Sequence, residues 1–204
     1  MKLQIIGENG NFGSFLKELL TPHFDICDNT ESVILAVPLS AYDELGAKFK
    51  DKYIINICSV QKPSMDILLK YTDKVTGIHP LFGRRTPEFY RNSILTYSCT
   101  KNNDTWFNFE LENEFLNKFC NVSDVLKQDA EAKDFTPESH DILMAKTHLQ
   151  AITAAQQCKI LTDRAKDIPD VFLPHSFRKL KEFVQSINDC PQGTLESILA
   201  NPYA

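Results

Sequence analysis

At 204 residues, 43% hydrophobic and 24% charged, the chain has an ordinary globular composition, with room for one large domain or two modest ones. A net charge of −5 argues against a general binder of nucleic acid or anionic membrane, since both want a basic surface. No apolar run reaches the roughly 18 residues needed to cross a bilayer, and the six cysteines, widely spaced and without a CxxC pair, read as reduced thiols of a cytoplasmic protein.

The N-terminus enters a first strand at once, Lys2–Ile6, and does not read as a signal peptide. Further candidate strands are Val33–Val37, Tyr53–Cys58, Lys74–Ile78 and Ser93–Tyr97, with helical stretches near 12–20, 40–50, 63–71 and 105–119. Runs such as Val33-Ile34-Leu35-Ala36-Val37 are continuously apolar, as a parallel sheet covered on both faces requires. Alternating βα units over residues 1–130 predict a Rossmann-like, doubly wound, mostly parallel sheet.

Between the first strand and first helix lies Gly7-Glu8-Asn9-Gly10-Asn11-Phe12-Gly13, where a dinucleotide-binding loop belongs. Glycines there let backbone amides approach a pyrophosphate at the positive end of a helix. Counted back from Gly13, the G-x-G-x-x-G spacing puts Glu8 in the first glycine's place and Gly7 one residue early. A carboxylate beside a pyrophosphate is unhelpful unless it points away. Asp28 lies where a ribose-binding acid ends the second strand, and no arginine follows it to hold a 2′-phosphate, which favours NAD over NADP. Only Asn29 to Ser32 separate Asp28 from the next strand; four residues span about 14 Å, whereas a parallel return takes about a dozen residues. The second strand is therefore expected to be stunted or oddly routed.

After about residue 135 the strand signal stops, and residues 131–204 read as a small all-α domain. Thr136-Pro137-Glu138-Ser139 opens a long helical stretch, with threonine as N-cap and proline in the first turn. Pro169 and Pro174 break it. A second helix carries Phe177, Leu180, Val184 and Ile187 on one stripe, and a third spans about 194–200. Three helices make a thin core, so this part is expected to pack on the sheet domain or on a second copy of itself, as a homodimer.

Ala36-Val37-Pro38, Ile57-Cys58-Ser59-Val60, Gly77-Ile78-His79-Pro80-Leu81-Phe82-Gly83, Thr136-Pro137-Glu138-Ser139-His140-Asp141 with Met144-Ala145, and Asn201-Pro202-Tyr203-Ala204 occur in that order. In order and spacing they resemble the prephenate and arogenate dehydrogenase family. The likeness runs through nearly the whole chain, and the His-Pro-Leu-Phe-Gly loop is its most specific part.

The resemblance implies an NAD-dependent oxidative decarboxylation of prephenate or a close analogue, as in tyrosine-type aromatic biosynthesis. Gly7, Gly10, Asn11, Phe12, Gly13, Asp28, Val37 and Pro38 would bind the cofactor. His79, at the mouth of the sheet, would take the proton of the ring hydroxyl as the ring loses hydride, and Ser59 would assist. The substrate, a cyclohexadienyl dicarboxylate, wants an arginine's fork, a place that Arg178 occupies. His140 and His148 stand eight residues apart, about 80° around one helix, so both can look toward one cleft. No histidine has the carboxylate or cysteine spacing of a metal site. Three residues depart from the family: Arg84 and Arg85 after the Phe-Gly, where they would widen a basic pocket or change substrate choice, and Gln61 where a lysine often follows Ser-Val. Glu8 and the squeezed second strand leave an alternative: a degenerate, non-catalytic member binding an aromatic metabolite or a protein partner.

Overall fold

The computed structural model of the protein describes residues 2–86, 136–190 and 192–203, and the strand 94–98 by its backbone. The chain forms two compact units, Met1–His140 and Asp141–Ala204. The helix expected near 105–119, together with Ser93, Cys99 and Cys120, lies outside the described residues.

The first unit runs β1 (Lys2–Ile6), α1 (Asn11–Leu20), β2 (Asp25–Ile26), β3 (Ser32–Leu35), a 3-10 turn (Leu39–Ala41) leading into α2 (Tyr42–Lys48), β4 (Tyr53–Asn56), α3 (Gln61–Leu68), β5 (Val75–Pro80) and β6 (Ile94–Ser98). The sheet order is β2-β1-β3-β4-β5-β6. The first five strands are parallel and β6 runs antiparallel to β5. The expected doubly wound, mostly parallel sheet is the one found. Its cause is visible in the alternation of side chains along each strand. Leu3, Ile5, Ile34, Ile55 and Ile78 pack with Phe15, Leu16 and Leu20 of α1. Val33, Leu35, Ile54 and Val75 pack with Tyr42, Met65 and Leu68 of α2 and α3. Each such side chain contributes about 1.5–3 kcal/mol on burial, so both faces need cover and the strands read as apolar throughout.

The short return after β2 is resolved by its route. β2 pairs only Asp25 and Ile26, with Lys2 and Leu3, and the chain then crosses β1 to reach its other side. That is two strand spacings, about 10 Å, within reach of residues 27–31. The crossing passes over the face opposite α1, because Leu3 and Ile5 face α1 and the intervening Gln4 amide donates to Asp28 Oδ1 at 2.9 Å. Asn29 turns the chain with φ 57°, and Lys52 Nζ holds the Thr30 carbonyl.

Among the described residues four helices follow: α4 (Pro137–Lys146), α5 (His148–Arg164), α6 (His175–Asn188, after a 3-10 turn Asp170–Phe172) and α7 (Gln192–Leu199). Thr136 caps α4 as expected, accepting the Ser139 N–H at 3.1 Å. The single long helix expected from residue 136 is instead two. Thr147 leaves helical geometry (φ −122°, ψ −73°), its hydroxyl donates to the Leu143 carbonyl at 2.9 Å, and Gln150 donates to the Ala145 carbonyl at 3.3 Å. Side chains thus take over carbonyls that the helix would have used. The second unit's core is small: Leu149, Ile152 and Ile198, with Ile187 and Leu195 against them. Asn201 donates to the Asp141 carbonyl at 2.8 Å. Among the described residues no helix is long and apolar enough to cross a membrane.

Ile55→Ala removes a fully buried side chain from the α1 face. We expect a loss of about 2–5 kcal/mol, read as a lower urea midpoint at unchanged slope.

Candidate functional site

Because β1, β3, β4 and β5 are parallel, their C-terminal ends share one edge. Gly7, Ala36 to Pro38 and Ile57 to Ser59 follow directly after β1, β3 and β4, and His79 lies next to last in β5. Three strand spacings separate Gly7 from His79, about 14 Å.

Gly7 has φ 89°, and a Cβ on it would lie 2.3 Å from the Ala36 carbonyl oxygen and 3.0 Å from Val37 Cγ1. A Cβ on Gly13 would lie 2.0 Å from the Gly7 carbonyl oxygen. Gly7 therefore performs the tight turn, although the motif spacing put it one residue early. Glu8 turns away, its carboxylate 2.8 Å from Lys17 Nζ. Gly10 is the N-cap of α1 and brings no side chain to the cap, while its own N–H donates to the Gly7 carbonyl at 2.9 Å. The amides from Asn11 to Gly13 have no acceptor within the helix, at its positive end. This is the geometry that seats a phosphate. The Phe12 ring packs edge-on to Phe15, centroids 5.9 Å apart, so Phe12 offers the loop its amide.

Asp28 is not brought to this edge. β2 ends level with Leu3, three residues or about 10 Å short of Ile6, and Asp28 rests on Gln4. An open hollow of about 420 Å3 lies there, lined by Gln4, Asp28, Asn29, Lys48, Phe49 and Lys52.

The turn after β4 is built on a buried polar cluster. Asn56 Oδ1 accepts from the Tyr42 hydroxyl at 2.8 Å and the Cys58 N–H at 3.0 Å; its Nδ2 donates to Gln61 Oε1 at 2.7 Å and Ser64 Oγ at 2.8 Å. That is the full capacity of one amide. Burial first, then the nearby Cys58 thiol, pushes the Tyr42 phenol well above the usual tyrosine range, so it stays a donor. Gln61, fully buried, also closes the turn by donating to the Cys58 carbonyl. A lysine there could not supply the acceptor that Asn56 uses. Ser59 is half-buried at the tip, and the N-cap of α3 is Val60, without a side-chain cap. In the sequence this cluster has one signal, a lone asparagine in the run Tyr53-Ile54-Ile55-Asn56-Ile57-Cys58.

His79 and His140 come together. His79 Nδ1 lies 2.8 Å from His140 Nε2, with ring centroids 4.9 Å apart and planes at 67°. Both rings are buried, at 4% and 0% exposure. His148 does not share His140's helix, because the break at Thr147 ends the common spacing of about 100° per residue; it opens α5, in the second unit. Arg178, in the first turn of α6, is exposed and its Nε donates to the Leu173 carbonyl at 2.9 Å. Arg84 is committed elsewhere than to a basic pocket. Its guanidinium forks onto Glu18 at 2.8 and 2.9 Å, donates to Ser14 Oγ at 3.2 Å, and lies 5.6 Å over the Phe15 ring. It ties the loop after β5 to α1. No cluster of metal-binding side chains occurs among the described residues.

The sheet and its edge define a Rossmann-like α/β protein with a helical C-terminal region. Among solved structures the chain is similar to one described as a putative prephenate dehydrogenase from Corynebacterium glutamicum, at 14% identity and a TM-score of 0.55, over 96% of this chain. The chain spans 65% of that protein's length. At this identity the likeness is one of fold. No protein-family model and no curated protein matches the chain.

Arg84 holds the Glu18 carboxyl below its ordinary 4.5, through its hydrogen bonds first and its charge as well. A lowered folded value adds stability above the unfolded value and forfeits it as pH falls through the folded one. Arg84→Met is therefore expected to lower Tm slightly at neutral pH, because the pair is exposed, with the difference from wild type fading below pH 4.5. Thermal unfolding at neutral and acid pH, at low salt, measures it.

Proposed function

We propose that the protein is a dehydrogenase-type oxidoreductase that binds NAD along this edge and oxidises prephenate or a close analogue with loss of carbon dioxide. The observation that carries the reading is the buried His79 imidazole, on the same edge as the glycine turn and held at Nδ1 by His140. A dinucleotide fits the residues present at its pyrophosphate: Gly7 and Gly13 leave no room for a side chain, the first amides of α1 point outward, and Glu8 is turned to Lys17. When bound, NAD supplies the hydride acceptor. With Nδ1 engaged, a substrate hydroxyl gives its proton to His79 Nε2, at about 3 Å. Ser59 donates to that hydroxyl or to the cofactor's carboxamide, Val37 and Pro38 line the cofactor, and Arg178 takes a substrate carboxylate, its guanidinium oriented by Leu173. His148 is assigned to the substrate as well.

One observation favours the second reading, a non-catalytic relative: Asp28 rests on Gln4 below the edge, which leaves the ribose without its usual acid. Calorimetry with NAD separates the two, since absence of binding at millimolar cofactor sinks the enzyme reading. The free thiols of Cys27 and Cys158 support a reducing, cytoplasmic setting. Exposed Ile160, Leu161, Val171 and Phe172 support a homodimer through the helical unit, which light scattering would report as twice 23.2 kDa.

Wild-type protein is expected to form NADH with prephenate or arogenate. His79→Asn should reduce turnover by about 10²–10⁴-fold while cofactor affinity is kept. Unchanged turnover would exclude His79 as the base.

A further inference from the structure

A histidine can accept a proton only at the nitrogen that carries its lone pair, and the tautomer decides which one that is. The 2.8 Å line between His79 Nδ1 and His140 Nε2 has room for one hydrogen. Two N–H groups aimed at each other repel, and so do two lone pairs. The tautomers of the two rings are therefore locked together. If His79 donates, its lone pair lies at Nε2. If His140 donates, a neutral His79 carries hydrogen on Nε2 and cannot act as a base.

His140 is itself fixed. It lies in the first turn of α4, its N–H donating to the Thr136 carbonyl at 2.9 Å, and Thr136 Oγ1 caps the same turn.

We propose that His140 is a positioning residue that sets the tautomer of His79, accepting its Nδ1–H and so presenting the lone pair at Nε2. This rests on the reading of His79 as the base, and it replaces the direct substrate contact that the resemblance implied for His140. In the step itself the substrate O–H bond breaks, the Nε2–H bond forms, and the electron pair stays on the substrate oxygen. The new imidazolium is then stabilised by its hydrogen bond to His140, as the triad aspartate stabilises its histidine in serine proteases.

Nitrogen-15 NMR of the histidine-labelled wild-type protein at neutral pH reads the tautomers directly, and needs neither turnover nor a variant that folds. His79 is expected with hydrogen on Nδ1 and none on Nε2, and His140 with hydrogen on Nδ1. His79 found with hydrogen on Nε2 alone overturns the proposal, whatever the protein does with prephenate. The expected tautomers without any NADH formation would instead count against the proposed function and leave the pairing standing. In an active enzyme, His140→Leu should lower kcat about 10²–10⁴-fold with KM changed less than about threefold, the ceiling being the cost of a wrong tautomer in a triad. His140→Gln, whose amide oxygen can accept from Nδ1, should recover at least about tenfold of that loss. Equal losses in both variants, with the His79 resonances unmoved, would reduce His140 to packing.

Discussion

Three backbone segments meet at Gly7 with no side chain between them. The Gly7 carbonyl faces the Cα of Gly13 in α1, and the Cα of Gly7 faces the Ala36 carbonyl at the end of β3. A single methyl group at either glycine would enter space already held by a carbonyl oxygen. Strand, helix and neighbouring strand are thus clamped at van der Waals distance, which brings the first amides of α1 to the sheet edge. The other features of the edge are arranged around this clamp. Parallel pairing carries the register from β1 through β3 and β4 to β5, where His79 stands.

Residues that looked out of place in the sequence have local partners. Glu8 finds Lys17, Arg84 finds Glu18, and Gln61 joins the Asn56 cluster. The first two pairs link α1 to the loops before and after the sheet's working edge, so the charges act as ties between elements. Gln61 shows the opposite economy. It is uncharged because its place is fully buried, and an amide can donate and accept in the same turn where an ammonium can only donate.

Periodicity made the sheet legible. Apolar strands such as Val33 to Leu35 and Tyr53 to Ile55 could be read because covering both faces leaves one pattern. The stunted β2 was legible too, from chain length alone. Its route across β1 was not, because that depends on a hydrogen bond between Gln4 and Asp28 and on a left-handed turn at Asn29. The break at Thr147 was equally hidden: its cause is a hydroxyl's choice between solvent and the Leu143 carbonyl, which periodicity does not record. The meeting of His79 with His140 joins residues 61 positions apart, and neither helix nor strand pattern contains that distance. His79 and His140 could be picked out singly from their motifs; that they form a pair is a tertiary fact.

The shortness of β2 has a consequence for the molecule's behaviour in company. A sheet's outermost strand is where foreign chains add themselves, through the row of amide and carbonyl groups it leaves open. On this side the last strand is two residues long, and the chain then folds inward across β1. A visiting strand would find almost no ladder to extend. The truncation that leaves Asp28 below the sheet edge also guards this flank against ribbon-like self-association.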